Sequence, residues 1–350
     1  MGNLLPVERH HHIGVVVSDY RRYIEQFSRF FGIERWEVRR QDSSRMPDAT
    51  LHGKPVKHSF ISVLGARGKI AFELCQPVSG DSVYGEFLET HGEGMHHLFP
   101  TICSPAEFRQ LRPWLESEGI TVSQSATVTD TLEYYYLDST SYLGTTYEVL
   151  CPLRPDWQSD PRLKPDEVIT IDSKVAGAAG CPSEKIYHAC VLTRNKRLSM
   201  RDNYQRLLGF EQWFDFDNQT GVSSQDTHYF GKSADTRFRL SLGRKNDFGI
   251  EIVEQIYGPT IYQDMLDKQG EGLNHIMTTL CGPEELGLIT KRLEAEGMPI
   301  IQDGQGSDVY YCYADTREKL AGLYVELLCP LSERFMSDPA MHELMVGPDL

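Results

Sequence analysis

The sequence predicts an α+β protein made of four strand–helix–three-strand (βαβββ) modules in two tandem domains. Three observations carry this expectation. First, the stretch Gly92-Glu93-Gly94-Met95-His96-His97-Leu98 returns as Gly270-Glu271-Gly272-Leu273-Asn274-His275-Ile276. Second, one register shift relates the two halves. Gly53 and Gly231, Glu73 and Glu251, His97 and His275, Pro105 and Pro283, Gly119 and Gly297, and Glu148 and Glu326 are each 178 positions apart by subtraction. A single shift that aligns so many residue types is the mark of a duplication. Third, strand, helix and three strands recur twice within each half, beginning at His12, His97, His188 and His275. At 350 residues, each half is long enough to bury its own core.

In chain order, His12-Ile13-Gly14-Val15-Val16-Val17 reads as a buried, β-branched strand. The run His10-His11-His12 invites a tag reading. Tyr187-His188-Ala189-Cys190-Val191-Leu192 argues against it, because it repeats one histidine in the register of His12, 176 positions on. Asp19 is expected to cap a helix with the apolar stripe Tyr20, Tyr23, Ile24, Phe27, Phe30 and Phe31, closed by Gly32. That stripe has the spacing of core packing. Its copy runs Tyr204, Leu207, Leu208, Gly209. Strands with Trp36 and Trp213 follow the two helices.

Residues 40–57 are polar and read as a loop ending in Gly53-Lys54, matched by Gly231-Lys232. A turn explains that pair more simply than an anion-holding loop does. Strands at 59–64 and 69–74 come next, the second carrying Glu73 in Ile70-Ala71-Phe72-Glu73-Leu74. After the His97 strand, Ser104 and Glu107 form a capping box around Pro105, and Gly119 ends the helix. Strands near Val122, at 134–137 and at 145–150 close the half, the last carrying Glu148.

The expected limits are a first domain at 1–153, a linker at 154–183, a second domain at 184–331 and a tail at 332–350. The linker holds Pro155, Pro161, Pro165, Pro182 and Gly177-Ala178-Ala179-Gly180. Ser159-Asp160-Pro161 recurs as Ser337-Asp338-Pro339. The tail is apolar at Phe335, Met336, Met341, Leu344 and Met345, which predicts a short helix over the second domain.

Composition narrows the partners. The net charge of −15 disfavours nucleic acid and anionic membranes. No apolar run approaches a membrane span. Met1–Pro6 lacks the basic-then-apolar pattern of a signal peptide, and Pro6 stands where myristoylation needs Ser or Thr. Eight cysteines without a C-x-x-C pair exclude a zinc ribbon and a thioredoxin motif, and suit a reducing, cytoplasmic setting. Homo-oligomerisation is left open.

Each half offers two His and two Glu on separate strands: His12, Glu73, His97, Glu148, and His188, Glu251, His275, Glu326. Glu73 to His97 and Glu251 to His275 both span 24 positions; His97 to Glu148 and His275 to Glu326 both span 51. A carboxylate inside an apolar strand needs a partner or a cation. One such residue alone is ordinarily a satisfied polar group. Four kept in both copies point to a metal in each half. Two imidazoles with one or two carboxylates suit divalent Fe, Co, Ni, Zn or Mn. The second copy keeps only the second histidine of the His96-His97 pair, which selects His97. His58, His91, His96 and His228 are better read as ordinary polar residues.

The strand at His12, the Gly-Glu-Gly turn with its histidine, and Gly144-Thr145-Thr146-Tyr147-Glu148 resemble the vicinal oxygen chelate (glyoxalase/bleomycin resistance/extradiol dioxygenase) superfamily. The resemblance covers 10–153 and 186–331, and is nearest to methylmalonyl-CoA epimerase and glyoxalase I. It implies two tandem glyoxalase-like cups, each curled around one divalent metal held by the four His and Glu of its half. It implies a small-molecule substrate gripped by two neighbouring oxygens. Proton transfer through an enolate or enediolate would follow, as in an isomerase, epimerase or lyase, with Glu148, Glu326, Glu73 and Glu251 as catalytic groups. Such epimerases are single short chains with Gln where Glu73 and Glu251 stand, so the two-Glu set is closer to glyoxalase I. One alternative is an Fe(II) extradiol-type or 2-oxo-acid dioxygenase. The Tyr and Asp-Pro signature ahead of the last ligand is not evident at 138–144 or at 315–317, and the C-terminal motifs of 4-hydroxyphenylpyruvate dioxygenase find no clear match. A second alternative is a non-catalytic, resistance-type protein that sequesters a ligand in the cups.

Overall fold

The computed structural model describes residues 4–180, 183 and 185–347. Met1–Asn3, Pro182, and the outermost residues of the second domain and tail named above lie outside the described residues, as does the side chain of Met336.

Each half forms one curled sheet. In the first, four strands lie side by side at the centre: Ile70–Ser79, His12–Val16, Gly94–Ile102 and Thr146–Pro152. His12–Val16 runs parallel to Ile70–Ser79 and antiparallel to Gly94–Ile102, which is parallel to Thr146–Pro152. Ser59–Arg67 and Arg35–Gln41 flank one side; Leu132–Leu137 and Val122–Val128 flank the other. The second sheet repeats the arrangement. Phe248–Tyr257, His188–Thr193, Gly272–Leu280 and Tyr324–Pro330 are central. With the helices Arg21–Phe31, Pro105–Ser117, Arg197–Asn203 and Pro283–Ala295, these are four βαβββ modules.

Period-two alternation decides which side chains meet. Ile13, Val15, Phe72, Leu74, Leu98, Tyr147 and Val149 face one way, into an apolar cluster that also takes Phe27 and Phe31 from the first helix. The same cluster includes Val191, Tyr204, Phe210, Phe248, Ile276 and Val325, so one core is shared by both halves. The Tyr147 hydroxyl donates to that of Tyr204 at 3.0 Å, and Arg29 pairs with Glu296 at 2.6 Å across this junction. His10 is buried there too, with Nε2 at 2.9 Å from the Gly249 carbonyl and its ring against Phe248. It is part of the fold, which ends the tag reading.

Several elements differ from expectation, each for a local reason. Tyr20, not Asp19, is the N-cap of the first helix; Asp19 accepts from the Arg21 amide at 3.0 Å and shapes the turn before it. Residues 40–57 are not all loop. Thr50–Leu51 and Lys54–Pro55 form a hairpin, turned at Gly53 with φ +74°, that pairs with Val122–Val128 and extends the far edge of the sheet. Glu167–Thr170, inside the expected linker, adds a strand to Arg35–Gln41 at the opposite edge. The tail forms two helices, Glu333–Ser337 and Pro339–Met345. The helices Val83–His91 and Ile261–Lys268 were not foreseen. Ser82 and Thr260 cap them, while Gln124 and Gln302 accept from the Val83 and Ile261 amides at 3.1 and 2.8 Å. Among the described residues, no helix is long and apolar enough to cross a membrane.

Candidate metal centres

The four central strands of each sheet are neighbours, and each places one polar side chain on the face opposite the shared core. In the first cup, His12 Nε2 lies 3.1 Å from Glu148 Oε2, 3.6 Å from Glu73 Oε2 and 3.2 Å from His97 Nε2. His97 Nε2 is 3.5 Å from both carboxylates. One donor atom from each of the four residues lies within 4.8 Å of the other three. In the second cup, His188 Nε2 is 3.0 Å from Glu326 Oε2 and 4.0 Å from Glu251 Oε2, and His275 Nε2 is 3.2 Å from Glu251 and 3.6 Å from Glu326. Here the mutual set within 4.8 Å is His188, Glu251 and His275, with Glu326 against both imidazoles. The residues picked from the sequence thus meet as a mutual set of four in the first cup and of three in the second, with Glu326 beside it.

These clusters fit a divalent cation. Glu148 Oε2, His188 Nε2, Glu251 Oε2, His275 Nε2 and Glu326 Oε2 are buried without a hydrogen bond, although they crowd together. Buried, unsatisfied donors facing one point are costly unless something binds there. Imidazole nitrogen with carboxylate oxygen is the donor set of borderline divalent metals. Without one, charge pairing holds the groups. Burial disfavours the charged form of His12, but Glu148 and Glu73 outweigh it and raise its pKa. Burial likewise opposes ionised Glu73, and the close contact with His97, 3.5 Å away, with the charge of His12, holds its pKa below the ordinary range. Glu326 is held low, against burial, by its contacts with His188 at 3.0 Å and His275 at 3.6 Å. His275 is raised well above its usual value, against burial, by Cys190 and by both carboxylates of its cup. A metal entering either cup must displace protons, so its affinity depends on pH.

Neighbouring residues orient the cluster. His97 Nδ1 lies 2.9 Å from His96 Nδ1, and His275 Nδ1 lies 2.9 Å from Asn274 Oδ1. The amide oxygen can only accept, so His275 donates from Nδ1, and Nε2 is the nitrogen that would give up its proton to a metal in the cup. Burial and the neighbouring His97 push the pKa of His96 well down. His96 is therefore not in the cluster but directly behind it. Glu73 is pinned by the Ser62 hydroxyl and by Cys75 Sγ at 3.3 Å. Gly14 lies under His97: a Cβ there would come within 1.9 Å of the imidazole Cε1. The middle residue of each Gly-Glu-Gly turn ties the histidine strand to the first strand of its half. Glu93 accepts from the Ser18 amide and hydroxyl at 2.8 and 2.6 Å and from the Tyr23 hydroxyl; Glu271 accepts from Thr193 and the Arg194 amide at 2.7 and 2.8 Å.

Two pairs of tyrosines escaped the sequence reading. Tyr84 and Tyr136 share a hydroxyl hydrogen bond of 2.7 Å beside His97, and Tyr262 and Tyr313 do the same beside His275. Tyr313 also donates to Glu326 Oε1 at 3.0 Å. Burial first raises all four pKa values, joined by Cys75 and Glu73 at Tyr84 and by the cup carboxylates at the other three, so the hydroxyls stay protonated. Tyr84 and Tyr262 are 178 apart and were findable by register; Tyr136 and Tyr313 are 177 apart and fall out of it. The weaker histidines belong to neither cluster. His58 stacks on Phe60, His91 on Phe87, and His228 pairs with Asp303 at 3.0 Å. His91 and His96 border a cavity of about 240 Å³ between the cups.

Each cluster forms the floor of a larger cavity. His12, Glu73 and Glu148 open onto about 370 Å³; His188, Glu251 and Glu326 open onto about 840 Å³. The inter-cup cavity has no part in either floor, so the cups are the better place to look for chemistry.

Residues 11–136 match the model of the Glyoxalase/Bleomycin resistance protein/Dioxygenase superfamily. No curated protein sequence matches the chain. Among solved structures, a mutant 4-hydroxymandelate synthase from Streptomyces coelicolor is 11% identical, with 98% of each chain covered and a TM-score of 0.59. A xylose isomerase-like TIM barrel/4-hydroxyphenylpyruvate dioxygenase fusion protein is 11% identical over 95% of this chain and 50% of its own, with a TM-score of 0.49. A Mn(II)-bound glyoxalase from Novosphingobium aromaticivorans is 12% identical over 94% and 84%, with a TM-score of 0.44. At such identity the synthase shares the fold alone.

Proposed function

We propose that this chain, built on the duplicated fold of the glyoxalase/bleomycin resistance/dioxygenase superfamily, is a divalent-metal enzyme that grips two neighbouring oxygens of a small molecule and moves a proton on the adjacent carbon. Each proposed domain, 1–153 and 184–331, would carry one such centre. The observation that supports this reading is the second carboxylate: Glu73 and Glu148 both face His12 and His97, one more than a two-His-one-carboxylate iron site uses. When bound, the cation supplies Lewis acidity to the substrate oxygens.

The chain's residues divide the remaining work. His12, His97 and Glu73 would hold the ion, Glu73 being fixed on both oxygens by Ser62 and Cys75. Glu148, whose Oε2 makes no hydrogen bond, would take the carbon-bound proton and return it. His188, His275, Glu251 and Glu326 take the same parts in the second cup. The reaction class is that of an isomerase, epimerase or lyase. The seven described cysteines are free and buried, and on that basis we place the enzyme in the cytoplasm.

One observation favours a second reading. The mutual set of the second cup is two imidazoles and one carboxylate, the set of Fe(II) dioxygenases. Metal analysis by mass spectrometry, oxygen uptake on a catechol panel, and solvent-deuterium incorporation into 2-acyl thioesters and hemithioacetals separate the two. Deuterium wash-in without oxygen uptake is the expected result. Stoichiometric oxygen consumption would replace it with the dioxygenase reading. A protein that is metal-free after anaerobic purification would point to ligand sequestration.

A further inference from the structure

The walls of the two cups differ position by position. Glu37 and Arg39, on the strand after the first helix, line the first cavity; Phe214 and Phe216, 177 positions on, line the second. Ser62, which binds Glu73, is matched at 178 by Leu240. The covers correspond as well. Trp157 and Leu163 border the first cavity, and Phe335 and Met341, each 178 on, border the second. The second cover is docked from behind: Arg244 donates to the Leu344 and Met345 carbonyls at 2.8 and 3.0 Å, where a helix end favours a cation.

We propose that the second cup binds an uncharged molecule with a broad aromatic or apolar body that carries its two neighbouring oxygens at one end. The oxygen end rests on the metal reading above; the body does not. The cavity is more than twice as large as its partner, at about 840 against 370 Å³. Its walls of Phe214, Phe216 and Leu240 gain by covering apolar surface, and the polar groups beside them, Asn218, Gln225 and Gln305, are uncharged. Among the described residues, no Lys or Arg borders it, while Asp308 and Asp338 do. A phosphate, a carboxylate or a coenzyme A tail would lose its hydration there and meet no cation among the described residues of the wall. In the first cup the matching wall positions hold an ion pair, Arg39 with Glu37, set among Phe60, Phe99 and Leu132, and it takes up room. The duplicated protein therefore holds two cups of different selectivity.

Calorimetric titration of the zinc-loaded protein with 3-phenylcatechol, catechol and 3,4-dihydroxybenzoate tests the proposal, zinc being chosen because it does no redox chemistry. The neutral biaryl should bind at least about 10-fold more tightly than either small probe. F214E/F216R, which copies the first cup's wall, should abolish that preference and leave zinc stoichiometry unchanged. Met341→Trp, which narrows the same cavity from the cover, should do likewise and guards against misfolding of the double variant. Equal or tighter binding of the benzoate overturns the proposal. So does a preference that survives both variants but disappears in E37F/R39F. Fluorescence of 2-naphthol with the metal-free protein separates the two layers of argument. A blue shift lost in F214E/F216R supports the apolar body even where zinc fails to bind, and zinc failure then counts only against the metal reading. No naphthol binding, or binding indifferent to the variants, overturns the cavity proposal.

Discussion

The two cups keep the same four His and Glu and the tyrosine pair beside the second histidine, and differ in several other groups around them. Beneath the second histidine stands Gly14 in one cup and Cys190 in the other. Behind it stands His96 or Asn274. On the wall stand Glu37 and Arg39 or Phe214 and Phe216. The cluster is costly to bury and useful only if complete, so both copies hold it. The wall meets the ligand, so it is where two copies can diverge without loss of the fold.

The sharpest way to break this comparison is to remove one cluster at a time. His97→Ala and His275→Ala should each lower bound metal from about two ions per chain to about one, measured by mass spectrometry. The affinity lost in the altered cup should exceed the ~10–100-fold typical of losing an outer hydrogen-bond partner. A variant that empties both cups would mean they are coupled. Next, Glu148→Gln and Glu326→Gln, compared by steady-state kinetics, should show which cup works. The rate should fall about 10²–10⁴-fold in that one and little in the other. If neither change alters activity or metal content, the roles given to these carboxylates are wrong.

A third pair probes the residue under the histidine. Gly14→Ala forces a Cβ into the His97 ring, and should cost about 1–3 kcal/mol in a urea titration and weaken metal binding in the first cup. Cys190→Ala only removes an atom and should leave the second cup loaded. Smaller still is the tyrosine pair. Tyr136→Phe should cost about 1 kcal/mol, and Tyr313→Phe more, because Tyr313 also bonds Glu326.

The smallest effect is on acid stability. Against burial, the hydrogen bonds of Ser18 and Tyr23 depress the pKa of Glu93; the Arg194 amide, Thr193 and Lys196 do the same for Glu271. A depressed folded pKa means that the stabilisation is present above the unfolded carboxylate value, about 4.3, and is lost as pH falls through the lower folded value. Both groups are partly exposed, so E93Q and E271Q should each flatten the acid-side slope by only a few tenths of a kcal/mol. A steeper slope in either variant would reverse the sign argued here.

Much of the centre was legible because duplication makes position-by-position comparison possible inside one chain. His96 and His97 look alike in isolation; Asn274 beside His275 tells them apart. The register also reached the covers through Ser159-Asp160-Pro161 and Ser337-Asp338-Pro339. It failed where an insertion intervened, as at Tyr136, and where pairing is between strands distant in sequence. Thr50–Leu51 reads as loop because its partner is Val122–Val128, more than 70 positions away. The helices at Val83–His91 and Ile261–Lys268 were missed because buried Gln124 and Gln302 help to cap them from afar.

By itself, the sequence determined that there are two copies of one fold and that the same four His and Glu recur in each, because a period and a repeated costly residue are written in one dimension. The tertiary structure decided what each cup is. It set the four ligand strands side by side, put a carboxylate within 3.1 Å of His12 and another within 3.0 Å of His188, and turned Phe214 and Phe216 inward where Glu37 and Arg39 had been. Which side chains share a cavity depends on strand order and curl, and those are properties of the closed sheet rather than of any stretch of chain.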